Sequence, residues 1–206
     1  KLRTTQRSSK PVSPALPLAS RDAVVADRVR RNHKATQIMA QHNAYVALGS
    51  NLNDPLNNLL SALSRLNRSN KWQLLSYSSL YGSKPMGPQD QPDYVNAVCQ
   101  LKTELSAYDL LQSLHDIEDE FGRKRIRHWG ERTLDLDLLL FNNETHQKPD
   151  LTVPHPGIYE RSFVLYPLAE IAPAIVLPNG KTVTEQAKTL TESGLDVLVY
   201  QSSISL

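Results

Sequence analysis

Apolar and polar positions follow a regular pattern from Tyr45 onward, with the spacings of strands and helices. Tyr45 to Leu48 is a short apolar run that predicts a strand, and the polar sequence Gly49-Ser50-Asn51 after it predicts a turn. A helix is predicted from about Pro55 to Leu66, because proline suits a first helical turn and leucines recur at helical spacing. Those leucines are Leu56, Leu59, Leu60, Leu63 and Leu66.

Three further strands and a second helix are predicted in the middle of the chain. The residue pattern predicts strands at Trp72 to Tyr81, at Tyr94 to Glu104 and, strongly apolar, at Leu134 to Phe141, and a proline-rich loop covers Lys84 to Asp93. Helical spacing of apolar residues predicts a helix from about Ala107 to Phe121. The order βαββαβ predicts a ferredoxin-like α+β sandwich.

Shorter elements after Phe141 predict an addition to this sandwich. They are a strand-like segment at Thr152 to Pro154, a helical turn near Phe163 to Ile171, and a helix and strand within Thr182 to Tyr200. The length of 206 residues suits one sizeable core. We therefore expect a single catalytic domain over residues 41–206.

Residues 1–40 differ from the rest in composition and charge. They are rich in Ser, Pro and Arg and hold 9 basic and 2 acidic residues, whereas the remaining residues carry 14 basic and 19 acidic ones. We expect a disordered basic leader or linker. It lacks interleaved aromatic residues, so nucleic-acid binding is not expected.

Cysteine usage and hydropathy bear on the compartment. The single cysteine, Cys99, lies in an apolar strand and is expected to be a buried thiol that forms no intrachain disulfide. We find no run of about 18 apolar residues, so no membrane-spanning helix is expected. A cytoplasmic location is predicted. An organelle is the alternative if the leader is a transit peptide.

Asp135 and Asp137 are the first candidates for chemistry. Side chains alternate between the faces of a strand, so these two acids point to one side and their leucine neighbours to the other. Two close carboxylates resist joint ionisation unless cations compensate them, and Mg²⁺ is commonly held by one or two carboxylates together with substrate phosphates. The alternative is a solvated strand edge.

A basic segment precedes the two acids. A guanidinium group can donate two parallel hydrogen bonds to phosphate oxygens. This segment next to two metal-binding acids therefore predicts a polyphosphate site. The alternative is a solvated basic loop. The chain has no glycine-rich phosphate loop that would replace these side chains. The cationic residues are Arg123, Lys124, Arg125, Arg127 and Arg132, with His128 among them.

Several separated motifs together resemble one family, the 6-hydroxymethyl-7,8-dihydropterin pyrophosphokinases of folate biosynthesis. The resemblance covers about Ala44 to the C-terminus. It implies transfer of the β,γ-diphosphate of ATP to the hydroxymethyl group of the pterin, with release of AMP. The motifs are Gly49-Ser50-Asn51, Pro85 to Asn96, Gly130-x-Arg132-x-x-Asp135-x-Asp137, Val153-Pro154-His155-Pro156 and Arg161 to Leu165.

The resemblance also implies roles for individual residues. Asp135 and Asp137 would hold two Mg²⁺ ions and act in catalysis together with Arg123 and Arg132. Tyr94 and Phe163 would enclose the pterin ring, and Asn96 would read its edge with help from Ser83, Pro85 and Met86. The ATP side would comprise Glu118, Arg123, Arg132, Thr152, His155 and Arg161, and a mobile loop with Arg125 and Trp129 would close over both substrates.

Two other classes of protein remain open from the residues alone. A metal-dependent nucleotidyltransferase or nuclease also uses paired acids. The other class is a non-catalytic ATP-binding module with the basic leader as a docking arm, which would survive loss of Asp135 with only weakened nucleotide binding. The expected partners are ATP and the hydroxymethyl-dihydropterin, with no membrane and no nucleic acid. We expect a monomer, or a protein fused to or cooperating with another folate enzyme.

Overall fold

An antiparallel sheet of six strands forms the centre of the computed structural model, which describes residues 40–122, 130–190 and 194–206. Contacts divide the chain into two units, Lys1–Met39 and Ala40–Leu206, and all described residues belong to the second. The predicted leader therefore lies outside the described residues, apart from Ala40. The strands of the sheet are β1 (His42–Ser50), β2 (Trp72–Tyr77), β3 (Leu80–Ser83), β4 (Tyr94–Thr103), β5 (Asp135–Phe141) and β8 (Leu195–Val199).

Strands that are distant in the chain lie side by side in this sheet. The order is β5-β1-β4-β3-β8, and β2 pairs with β4 as well. A separate hairpin joins β6 (His146–Lys148) to β7 (Leu151–Val153). The helices are α1 (Pro55–Asn67), α2 (Ala107–Glu120), α3 (Ser162–Ile171) and α4 (Val183–Ala187), with 3₁₀ turns at Pro156–Tyr159 and Gln201–Ser203.

The observed order confirms the predicted α+β fold with its C-terminal helix and strand. Helix α1 begins where predicted, with Pro55 after the cap residue Asp54. Helix α2 begins after Ser106, whose side chain accepts a hydrogen bond from the N–H of Asp109 at 3.2 Å. It ends before Gly122, whose φ of 73° is a conformation that glycine adopts without strain.

The strand predicted over Trp72 to Tyr81 is two strands, and two serines explain the break. Ser78 donates its N–H to the carbonyl of Val98 at 2.9 Å, and its hydroxyl accepts from the N–H of Val98 at 3.0 Å. The hydroxyl thus replaces the carbonyl that a continuous strand would offer. Ser79 turns away to bind Glu170 of α3.

The two faces of the sheet pack against different helices. On β1, Ala44, Val46 and Leu48 belong to the core formed with α1 and α2, whereas Tyr45 and Ala47 pack against the core formed with α3 and α4. Cys99 is fully buried in the first core, as expected from its apolar surroundings. None of the helices among the described residues is long and apolar enough to cross a membrane.

Candidate active site

The register of β1, β4 and β5 places an acid and an amide on either side of Gly49. Gly49 lies opposite Asp135 on β5 and opposite Asn96 on β4, and Ala47 lies opposite Asp137. A Cβ at Gly49 would stand 3.7 Å from Asn96 Oδ1. The small residues on β1 therefore leave an open floor between the amide and the two acids, on the face of the sheet that packs against α3.

A cavity of about 610 Å³ lies over this floor. Its volume is in the range that holds a drug-sized ligand. It gathers residues that are far apart in the sequence, including both acids and both aromatic residues singled out above. The predicted site residues that line it are Ser83, Met86, Tyr94, Asn96, Arg132, Asp135, Asp137, His155, Arg161 and Phe163.

Three predicted site residues do not line the cavity. Glu118 is buried on the α2 side of β5, and its carboxylate accepts a hydrogen bond from the N–H of Leu136 at 2.6 Å. Thr152 is exposed on β7. Pro85 is the third of these residues, and its carbonyl accepts a hydrogen bond from Gln89. Arg123, Arg125 and Trp129 lie outside the described residues, as do Lys124, Arg127 and His128.

Charge is concentrated at the acid end of the cavity. Arg132 forms an ion pair with Asp135, and the two side chains are 23% and 16% exposed. Burial and the neighbouring charge of Asp135 raise the pKa of Asp137, although His155, Arg161 and Arg132 partly offset the effect. The cavity therefore holds one acid already neutralised by an arginine and a second whose ionised form is disfavoured.

His155 turns one ring nitrogen toward Asp137. Its Nδ1 accepts a hydrogen bond from the N–H of Gly157 at 3.1 Å, and its Nε2 lies 3.9 Å from Asp137 Oδ2. Burial lowers the pKa of His155, against the opposing effect of Asp137. Since Nδ1 accepts, the neutral ring carries its proton on Nε2 and can donate it into the cavity.

Hydrogen bonds fix the orientation of the Asn96 amide at the other end. Its Nδ2 donates to Ser83 Oγ at 2.9 Å and to the carbonyl of Tyr81 at 3.3 Å. Both amide hydrogens are therefore used within the protein, and Oδ1 lies over the cavity floor beside Gly49. Arg161 lies against the Phe163 ring, with 5.9 Å between its guanidinium carbon and the ring centroid.

Two polar residues hold the cavity's loops together, a role that the sequence predicted for neither of them. Asn51 is 1% exposed and donates from Nδ2 to Gln91 Oε1 and to the carbonyl of Pro92, each at 3.0 Å. Tyr94 donates its hydroxyl to the carbonyl of Gly130 at 3.0 Å. Asn51 follows β1 in a polar turn and Tyr94 is the first residue of β4, and neither position gives a periodic signal of these contacts.

The fold and this cavity together define a small α+β phosphotransferase. Residues 45–173 match the family model described as 7,8-dihydro-6-hydroxymethylpterin-pyrophosphokinase. This chain belongs to that family, and the resemblance found in the sequence is confirmed.

Two bacterial relatives match nearly along their whole length. A 2-amino-4-hydroxy-6-hydroxymethyldihydropteridine pyrophosphokinase of Haemophilus influenzae is 53% identical over 149 residues, which are 72% of this chain and 93% of the relative. The protein of the same name from Pseudomonas aeruginosa is 46% identical over 154 residues, covering 75% and 95%. The folic acid synthesis protein of Schizosaccharomyces pombe is 38% identical, and the match spans 18% of its length.

Solved structures agree in fold. A Plasmodium falciparum HPPK-DHPS triple mutant aligns with a TM-score of 0.57 at 15% identity, over 75% of this chain and 45% of that one. At this identity the likeness shows the fold alone. The chain thus spans less than half of the larger solved protein.

Proposed function

We propose that this protein transfers diphosphate from ATP to the hydroxymethyl group of 6-hydroxymethyl-7,8-dihydropterin, giving the pterin diphosphate and AMP in folate biosynthesis. Family membership supports this reaction over the nucleotidyltransferase alternative. The single observation that carries the proposal is the cavity, which combines an acid pair and cations with an aromatic and amide pocket. A phosphate donor and a flat polar acceptor would meet over Gly49.

The acid end suits ATP with Mg²⁺. Asp137 is 38% exposed to solvent although protein surrounds it, so a cation could reach its carboxylate. Its raised pKa marks a charge that lacks full compensation. Mg²⁺ is commonly held by one or two carboxylates together with substrate phosphates, and among the described residues no cluster of three or more metal-binding side chains occurs. We propose that Asp135 and Asp137 hold two Mg²⁺ ions.

Bound Mg²⁺ would supply charge neutralisation on the phosphates and on the incoming hydroxyl. The protein's own cations contribute at the same end. Arg132 and Arg161 can fork onto phosphate oxygens, and His155 can donate from Nε2. Arg123, with Arg125 and Trp129, is proposed to complete the ATP side, as the family resemblance implies. The family resemblance also implies a role on the ATP side for Glu118 and Thr152, although neither residue lines the cavity.

The other end suits the pterin. Tyr94 and Phe163 offer ring faces to a flat heterocycle, and Asn96 offers Oδ1 as an acceptor for an amino or ring N–H group. Ser83 helps to hold that amide, while Met86 and the backbone around Pro85 lie in the loop beside it. These residues would bind and orient the acceptor, which is the main protein contribution to phosphoryl transfer.

One assay tests the reaction. Purified protein is incubated with ATP, Mg²⁺ and 6-hydroxymethyl-7,8-dihydropterin, and products are separated chromatographically. We expect AMP and pterin diphosphate in equal amounts, each dependent on the pterin. Formation of ADP, or nucleotide turnover without pterin, would contradict the proposal. An exposed-residue variant, Asp150→Asn, serves as the control for handling.

The remaining expectations about context stay proposals. We propose that the protein is a monomer, or is fused to or cooperates with another folate enzyme. Its proposed location is the cytoplasm, with an organelle as the alternative. Residues 1–40 are proposed to be a leader or linker. Sedimentation of the full chain would test the oligomeric state.

A further inference from the structure

Gly157 lies in the 3₁₀ turn Pro156–Tyr159, between His155 and the start of α3. Its N–H donates to His155 Nδ1 at 3.1 Å. Its φ lies outside the positive range that favours glycine, unlike that of Gly122 or Gly180. The backbone conformation therefore allows a residue with a side chain at this position.

The space where that side chain would begin is filled by Arg161. An ideal Cβ on Gly157 would lie 2.6 Å from Cζ and 2.8 Å from Cδ of Arg161, and closer still to Nε. Carbon atoms in favourable contact are about 3.5–4.0 Å apart. Any side chain at position 157 and the observed conformation of Arg161 therefore exclude each other.

The side chain of Arg161 can yield to such a clash more easily than its backbone can. Its backbone carbonyl accepts hydrogen bonds from Val164 at 3.1 Å and from Leu165 at 2.9 Å, where α3 begins. Its side chain makes no capping bond to the helix. The guanidinium is thus placed by packing on the turn rather than by the helix.

The side chain of Arg161 forms part of the cavity wall. Its guanidinium lies against Phe163 on one side, at 5.9 Å from the ring centroid. Arg161, Asp137 and His155 line the same cavity. From this position a planar cation can bind phosphate while it covers the face of an aromatic ring.

We propose that Gly157 is a positioning residue for Arg161: the missing side chain lets the guanidinium lie flat on the turn, beside Phe163 and directed at the phosphates of ATP. This inference rests on the proposed function, in which Arg161 binds ATP. It predicts that a single methyl group at position 157 weakens nucleotide binding without unfolding the protein.

A double-mutant cycle tests the proposal. Wild type, Gly157→Ala, Arg161→Ala and the double variant are titrated calorimetrically with a non-hydrolysable ATP analogue and Mg²⁺, and their melting temperatures are compared. We expect Gly157→Ala to weaken binding about tenfold, as for loss of one hydrogen bond to a charged group. In the Arg161→Ala background the same change is expected to have no effect, because the side chain it displaces is already gone.

Two results would overturn the proposal: unchanged affinity in Gly157→Ala, or an equal loss of affinity in both backgrounds. The second would indicate a general distortion of the turn, which a lowered melting temperature would accompany. Glu160→Ala, at an exposed residue before α3, is the matched control and is expected to bind like wild type. Because binding is measured without pterin, absence of pterin turnover in wild type would contradict the proposed function and leave this cycle interpretable.

Discussion

Asn51 and Arg132 exchange two hydrogen bonds. The N–H of Asn51 donates to the carbonyl of Arg132 at 3.0 Å, and Asn51 Oδ1 accepts from the N–H of Arg132 at 2.8 Å. The amide nitrogen of the same side chain holds Gln91 and Pro92. One buried side chain thus connects the turn after β1, the proline-rich loop and the arginine that pairs with Asp135.

Replacing Asn51 by alanine is expected to damage both stability and acceptor binding. The change removes the acceptor of the Arg132 N–H and the donor to Gln91 Oε1 and to the carbonyl of Pro92, all in buried or part-buried places. Since each unsatisfied buried group costs about 1–3 kcal/mol, we expect the free energy of unfolding to fall by about 3 kcal/mol. Urea unfolding measures this change, and KM for pterin is expected to rise more than KM for ATP. Asn67→Ala, at an exposed end of α1, is the control. A stability equal to that of the control would contradict this role.

Asn51 also marks the limit of what the sequence could predict. Asp135 and Asp137 were found from the sequence because a strand's two-residue period is local, and the structure places both in one cavity. Asn51 stood in a predicted turn and in one of the family motifs, with no role of its own. Its importance depends on its contacts with Gln91 and Arg132, which lie 40 and 81 positions further along the chain. No local periodicity in the sequence reveals contacts over such distances.

The break between β2 and β3 has the same origin. Ser79 donates its N–H at 2.9 Å and its hydroxyl at 2.8 Å to Glu170, and Tyr81 donates its hydroxyl to Glu170 at 2.8 Å. Glu170 lies 91 residues after Ser79, so the local pattern from Trp72 to Tyr81 predicted one strand instead of two. Burial and the hydrogen bond to Glu170 raise the pKa of Tyr81 well above its usual range.

Glu170→Ala is therefore expected to affect stability but not the reaction. It removes the acceptor of three hydrogen bonds that join α3 to Ser79 and to Tyr81 of β3. Because the residue is exposed and water can replace part of the loss, we expect the free energy of unfolding to fall by about 1–2 kcal/mol. Denaturant titration gives the change, and KM for ATP is the second measurement. A large increase in KM for ATP would show that Glu170 also shapes the acid end of the cavity.

Asp137→Asn should separate stability from activity. A carboxyl whose pKa is raised on folding weakens the folded state progressively as pH rises from its ordinary pKa through the raised value. Without Mg²⁺ and ATP, we expect the variant to melt at a higher temperature than wild type at pH 7 and at the same temperature in strong acid. Turnover is expected to fall by about 10³-fold or more, since charge stabilisation is usually the largest catalytic contribution.

Two outcomes would contradict this prediction for Asp137. Near-normal turnover would exclude a metal-binding role, and a lower melting temperature at pH 7 would mean that its charge is fully compensated in the protein. Asp150→Asn, in an exposed turn, provides the control melting curve at each pH.

Cys99 is expected to be chemically inert in the folded protein. It is fully buried, and burial raises the pKa of its thiol to about 12. Since the thiolate is the reactive form, a thiol reagent such as DTNB should label the chain only after unfolding. One equivalent should then react, because the chain has 1 cysteine. Rapid labelling of the native protein would contradict the burial.

Asn96→Asp tests how the acceptor is recognised. Asn96 donates both amide hydrogens to Ser83 and to the carbonyl of Tyr81, which leaves Oδ1 for the ligand. A carboxylate would place a negative charge against that carbonyl and would donate no hydrogen bond. Sites built to satisfy polar groups discriminate strongly when a partner is lost, so we expect kcat/KM for pterin to fall about 100-fold or more.

The affinity for an ATP analogue separates this effect from general damage around Asn96. It is expected to change little in Asn96→Asp, because the amide and the acids lie on opposite sides of Gly49. Ser83→Ala is the graded comparison, since it removes one of the two acceptors and leaves the amide in place. Its loss in kcat/KM for pterin should fall between those of wild type and Asn96→Asp. Equal pterin kinetics in all three proteins would exclude Asn96 from acceptor binding.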